Sequence, residues 1–162
     1  MSAGPYIIAG TGSRSFVPTD LARAQLHHHL GAVLAAHPDL ELMSGMAEGF
    51  DEFIAREAIA TGLPFHAAIP NRGYGRYYWG QHSLTGRDRL AEFNELVSQA
   101  RTVVYVCGNN LYLNGMHSNF VRNQHMVDRA HEFVVFNPTS RGTADCVRRI
   151  VLARKSYEVI EA

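Results

Sequence analysis

Short apolar runs at residues 6–9, 41–43, 65–69, 102–106 and 132–136, with a weaker one at 157–160, alternate with segments whose apolar residues recur at helical spacing. A short run without polar alternation suits a strand buried on both faces, and strands that alternate with helices pair in parallel. The expected fold is therefore α/β, a Rossmann-like open and mainly parallel sheet with helices on both faces. Thr19 or Asp20 can cap a first helix in which Leu26, Leu30, Val33 and Leu34 share a stripe, and His37-Pro38 ends it. A second helix is expected over 51–61, with Phe53, Ile54 and Ala58 on one side and Gly62 as its stop. Further helices are expected over 90–100, 119–129 and 143–155.

At 162 residues the chain has the length of one domain, and 46% hydrophobic against 19% charged residues is enough for a packed core. Fifteen basic residues balance fifteen acidic ones, which removes the global attraction on which non-specific nucleic-acid binding relies. Nucleic acid is thus a disfavoured partner and would need a local patch. Cys107 and Cys146 lie far apart and form no C-x-x-C pair, so neither a disulfide framework nor a metal site is expected. His27, His28 and His29 point in three directions on a helix and cannot converge on an ion. No apolar run approaches the roughly 20 residues of a membrane span, and no basic leader precedes the first strand. The expectations are a cytoplasmic protein with no membrane association.

Three loops rich in small residues each follow an expected strand and precede an expected helix: Gly10-Thr11-Gly12-Ser13-Arg14, Ser44-Gly45-Met46-Ala47-Glu48-Gly49 and Thr139-Ser140-Arg141-Gly142-Thr143. Glycine lets backbone approach a ligand closely, and the free amides at a helix start attract phosphate. In open α/β sheets that edge is where ligands bind. A fourth segment, about 71–89, interrupts the alternation with Gly73, Gly75, Gly80 and Gly86 among Tyr74, Tyr77, Tyr78 and Trp79. Long connections of this kind tend to be functional, and Tyr77, Tyr78 and Trp79 are candidates for a lid over a ligand or for a subunit contact.

The run Ile8-Ala9-Gly10-Thr11-Gly12-Ser13-Arg14 followed by Ser44-Gly45-Met46-Ala47-Glu48-Gly49-Phe50-Asp51 resembles the first two motifs of the SLOG superfamily, especially its DNA-processing protein A and YpsA-like branches. Met116-His117, Arg122-Asn123, Met126 and Ser140-Arg141-Gly142-Thr143 resemble the second half of its LOG branch, whose members are phosphoribohydrolases releasing bases from nucleoside monophosphates. The resemblance spans nearly the whole chain apart from the aromatic insert. It implies a ligand beside Gly10, Gly12, Ser13 and Arg14 after the first strand, and beside Ser44, Gly45, Met46 and Asp51 after the second. It places phosphate at Ser140, Arg141, Gly142 and Thr143, with Arg122 near the ribose phosphate and the scissile bond as a catalytic candidate and Asn123 among the ligand-binding residues. It also implies a homo-oligomer, a dimer first, and no cofactor is expected.

Two departures bear on activity. The LOG pattern carries a catalytic glutamate three residues after the threonine, where this chain has Cys146. A thiol cannot stabilise an oxocarbenium-like state as a carboxylate does, so hydrolysis would need Glu48, Asp51 or Asp145 to replace it. The DNA-processing relatives often carry arginine at the position of Glu48, where a negative charge repels phosphate. Arg72, Arg76, Arg87 and Arg89 among the aromatics of the insert offer an alternative strand-binding surface. The leading expectation is a module that binds a nucleotide-derived, phosphate-bearing ligand. A nucleoside monophosphate N-glycoside hydrolase with a displaced carboxylate comes second, and single-stranded DNA binding third.

Overall fold

The structure is a computed structural model that describes residues 4–109 and 115–162, without the side chains of residues 115 and 116. Six strands form one sheet: β1 (Ile7–Gly12), β2 (Glu41–Ser44), β3 (Phe65–Ile69), β4 (Thr102–Tyr105), β5 (Glu132–Phe136) and β6 (Ser156–Val159). All neighbours pair in parallel in the order β4-β3-β2-β1-β5-β6. The chain moves outward from β1 to β4, then crosses back to β5 and β6. Right-handed crossovers in two opposite directions place helices on opposite faces. Accordingly α1 (Asp20–Ala36), α2 (Phe50–Thr61) and α3 (Leu90–Ser98) cover one face, and α4 (Gly115–Arg129) and α5 (Arg141–Leu152) cover the other.

The strand period of two divides the core between those faces. Ile8, Leu42, Ala67 and Val134 point into the first layer with Leu26, Phe50, Ile54 and Phe93. Ala9, Met43, Ala68, Phe133 and Val135 point into the second with Met126, Cys146 and Ile150. Thr19 caps α1 by accepting from the Ala22 amide at 3.1 Å, and Gly62 ends α2 in the left-handed region. Leu34, expected on the buried stripe of α1, is exposed at its last turn. The helix expected over 143–155 starts earlier and stops at Leu152, because Arg154 takes a positive φ that ends it.

The insert departs most from the long connection expected over 71–89. Residues Gly75–Gln81 form a wide helical turn in which the His82 amide donates to the Tyr77 carbonyl at 2.8 Å, five residues back. Tyr74 and Trp79 are buried in the first core layer, and Trp79 Nε1 donates to the Met46 carbonyl at 2.8 Å. Trp79 does not line the switch-point cavity in this structure and pins the insert to the loop after β2.

That loop depends on Gly49, which has φ +83° and whose added Cβ would meet the Arg14 carbonyl oxygen at 2.5 Å. Gly62 has a similar φ of +75° but opens onto free space. Gly49→Ala is expected to cost at least about 2 kcal/mol through strain plus collision, and Gly62→Ala about 1 kcal/mol through strain alone. Urea unfolding midpoints of the two variants check the contrast.

Candidate functional site

The strand order reverses between β1 and β5, and a crevice opens outside the carboxyl ends of those strands. It holds a cavity of about 320 Å³. The walls come from several elements: Thr11 to Arg14 from the end of β1 and the loop after it, Ala47 from the loop after β2, Asp51 from the first turn of α2, and Tyr74 and Tyr78 from the insert. Asn119, Arg122 and Asn123 of α4 and Ser140 to Thr143 of α5 complete it.

The α5 end presents a helix start to the cavity, at the residues where the resemblance implies phosphate. Ser140 is the extended N-cap residue, and the first amides of a helix have no partner within it. Those amides, with the positive end of the helix dipole, lie at the cavity. A Cβ on Gly142 would meet nothing within 4 Å, so the backbone there is open to approach. Ser140 Oγ donates to Thr143 Oγ1 at 2.8 Å and fixes the turn.

Arg122 is buried beside the loop after β2. Its Nη1 donates to the Gly45 carbonyl, its Nε donates to Asn123 Oδ1 at 3.1 Å, and it approaches Asp51 Oδ2 to 4.0 Å. Glycine at 45 leaves room for this passage, since an added Cβ would meet Arg122 Nη1 at 2.5 Å and Asp51 Oδ2 at 2.8 Å and displace one of them. Asn123 in turn donates to the Gly142 carbonyl at 3.2 Å and to Asp145 Oδ2 at 3.1 Å, tying α4 to the start of α5.

Burial pushes Asp51 up to about 6, against the opposing pull of Arg122 and of the Ala47 and Gly12 amides. Its Oδ2 accepts from the Ala47 amide at 3.4 Å. The Gly12 amide faces the carboxylate, yet Oδ1 makes no bond of full hydrogen-bond geometry. Arg14 lies with its guanidinium carbon 5.0 Å from the centre of the Tyr78 ring.

Of the carboxylates offered as substitutes for the missing glutamate, Asp51 alone lines the cavity. Glu48 turns to the insert, accepting from Ser83 Oγ at 2.6 Å, the Leu84 amide at 2.9 Å and Arg89 Nη1 at 2.9 Å. Burial raises the pKa of Glu48, but these donors outweigh it and hold the group below the ordinary glutamate value. Asp145 is taken by Arg148 at 2.9 Å and Arg149 at 2.8 Å as well as by Asn123. Burial opposes that ionisation too, and Arg149, Asn123 and Arg148 overcome it. Cys146 is buried in the second core layer and its thiol is pushed up to about 12, chiefly by burial. It is a neutral packing group.

Several residues expected at the ligand instead support the walls. Gly10 lies inside β1, where an added Cβ would meet Ile54 Cγ1 at 2.4 Å. Ser44 Oγ donates to the Asp51 carbonyl at 2.7 Å, and buried Met46 receives Trp79. Tyr77 is half exposed and packs on Tyr78 and His82 away from the cavity. Arg87 and Arg89 are paired with Glu92, Glu48 and Glu52, whereas Arg72, over Tyr105, and Arg76 are exposed. Conversely Thr11, Ala47, Tyr74 and Asn119 line the cavity without having been singled out. Asn119 sits one helical turn before Asn123 on α4, a spacing that would have marked it. The Met116 side chain of the LOG-like motif lies outside the described residues.

Fold and cavity together define a doubly wound Rossmann-like α/β domain with a switch-point pocket. No family model and no curated protein matches the sequence. Among solved structures, the fold is similar to the X-ray structure of DNA processing protein A (DprA) from Streptococcus pneumoniae, with a TM-score of 0.61 at 14% identity. The match covers 98% of this chain and 51% of that one, so the chain spans about half the length of that protein. At this identity the likeness establishes the fold. Among the described residues no helix is long and apolar enough to cross a membrane.

Proposed function

We propose that the chain binds a nucleotide-derived, phosphate-bearing ligand in the switch-point cavity, as a SLOG-type domain. One observation carries this reading. Among the described residues, the buried side-chain polar atoms without a hydrogen-bond partner are Arg14 Nε, Arg14 Nη2, Asp51 Oδ1 and Asn119 Oδ1, and all three residues line this cavity. Buried polar atoms are otherwise almost always paired, so orphans gathered in one place call for partners from outside the chain, water or a ligand. The Arg14 nitrogens and the α5 amides suit an anion. Asn119 Oδ1 suits a hydroxyl or amino donor, and Asp51 Oδ1 can accept from such a donor or, once protonated, give to an anion. A nucleoside phosphate carries both kinds of group, and a cavity of about 320 Å³ lies at the lower end of the range for small-ligand sites.

A thermal-shift panel of AMP and GMP against free adenine and guanine tests the reading. The monophosphates are expected to raise the melting temperature and the free bases to leave it nearly unchanged. Arg14→Ala is expected to weaken monophosphate binding by about 1.5 to 3 kcal/mol through loss of charge-assisted hydrogen bonds. Equal shifts from a base and its monophosphate would count against the site. Hydrolysis is the second reading and rests on Asp51, placed beside Arg122 with a proton available near neutrality. Base released from AMP in the same samples, and lost in Asp51→Asn, would favour it.

A further inference from the structure

Asp51 stands at the start of α2, and the groups around it leave its charge with one partner. Arg122 reaches it from α4 at 4.0 Å. Tyr74 from the insert and Cys146 from α5 also feel its charge, but burial pushes both up to about 12 and they stay neutral across the physiological range. On its own side of the fold, Glu48 and Glu52 are directed to Arg89. The Ala47 amide holds Oδ2, and Oδ1 remains without a bond of full geometry on a residue that lines the cavity. Arg122, the cation nearest Asp51 among the described residues, lines the same cavity, as does Arg14 of the loop after β1.

An anion entering this space competes for Arg122 and meets a second negative charge at Asp51. Two like charges that close in a buried site cannot both persist cheaply. We propose that the ligand binds together with one proton, which passes from solvent to Asp51 Oδ1 so that the carboxyl donates to the ligand's anionic group while Arg122 turns its charge to the ligand. This rests on the phosphate-binding reading above. The protonated state is within reach because burial has already brought the group to about 6. The cavity thereby becomes a proton-linked site, filled more readily as pH falls.

Calorimetric titration with AMP at pH 7.5, in two buffers of different ionisation enthalpy, counts the protons. At that pH the ligand's phosphate, with a second pKa of about 6, is already dianionic. The wild-type protein is expected to take up close to one proton per AMP, with affinity falling about tenfold per pH unit from pH 7 to 8. Asp51→Asn and Asp51→Ser are expected to lose both the uptake and the slope. If neither variant folds, the carboxyl carbon shift of Asp51 in labelled wild-type protein decides: it must move to the protonated value on adding AMP at pH 7.5. AMP binding without proton uptake, with uptake equal in the variants, or with an unmoved Asp51 shift overturns the proposal and leaves the phosphate reading intact. Absence of AMP binding at every pH from 5 to 8 overturns the phosphate reading itself.

Discussion

Arg89→Met is expected to destabilise the domain by about 3 to 5 kcal/mol, the scale on which removing one partner of a buried ion pair leaves the other uncompensated. Arg89 is 8% exposed and bonds Glu48 at 2.9 Å, Glu52 at 2.6 Å and Glu92 at 3.0 Å, while its guanidinium lies 4.7 Å from the centre of the Trp79 ring. Methionine keeps the stem of the side chain, so the loss reports the charge. The deficit should narrow in acid. Hydrogen bonds from Arg89 and then Arg87 hold Glu92 down to about 2, against a small effect of burial. A carboxylate depressed in this way contributes stability above its ordinary value near 4.5, and that contribution disappears as pH falls toward 2. Chemical unfolding of wild type and variant at pH 7 and pH 3.5 measures both the gap and its closing. The same change should reach the cavity. Glu48 lies 3.6 Å from Arg14 without bonding it, because Ser83, Leu84 and Arg89 take its oxygens. Without Arg89, Glu48 is expected to draw Arg14 inward and weaken monophosphate binding.

The layered sheet was legible because its signal is local and redundant. The runs 65–69 and 132–136 coincide with β3 and β5, and Thr19, Gly62 and the apolar residues of α2 mark their helix as expected. The helix start at the cavity was legible for the same reason, since Ser140 to Thr143 carry it in their own sequence. What the sequence hid is set by contacts between distant segments. Nothing near Glu48 reveals Arg89, 41 residues on, as the partner that turns it from the cavity. Gly45 reads as a phosphate loop, whereas its bare backbone serves the passage of Arg122, 77 residues later. Cys146 stands where the LOG pattern carries glutamate, and its position at the expected offset did not reveal that the side chain packs inside the second core layer.

The insert gives the last and largest test of how such long-range contacts decide a segment's role. Glycines among tyrosines and a tryptophan read as a mobile cover, yet Trp79 is fully buried, packs on Phe93 at 5.3 Å between ring centres and donates to Met46. Met46 itself has a positive φ of 61°, uncommon for a side chain of its size, and its carbonyl is oriented to receive the indole. Trp79→Ala should therefore empty a core site and leave that carbonyl unpaired, costing about 3 to 5 kcal/mol. Tyr77→Ala, at a half-exposed position, should stay within about 0.5 kcal/mol of wild type. Urea unfolding separates these outcomes from the lid reading, in which neither side chain would matter to the unliganded fold. Fluorescence supplies an independent check, since Trp79 is the chain's single tryptophan. Its emission should be that of a buried indole and should barely move when AMP saturates the cavity. A large ligand-induced shift would mean that the insert opens, and with it the loop after β2 that Trp79 holds in place.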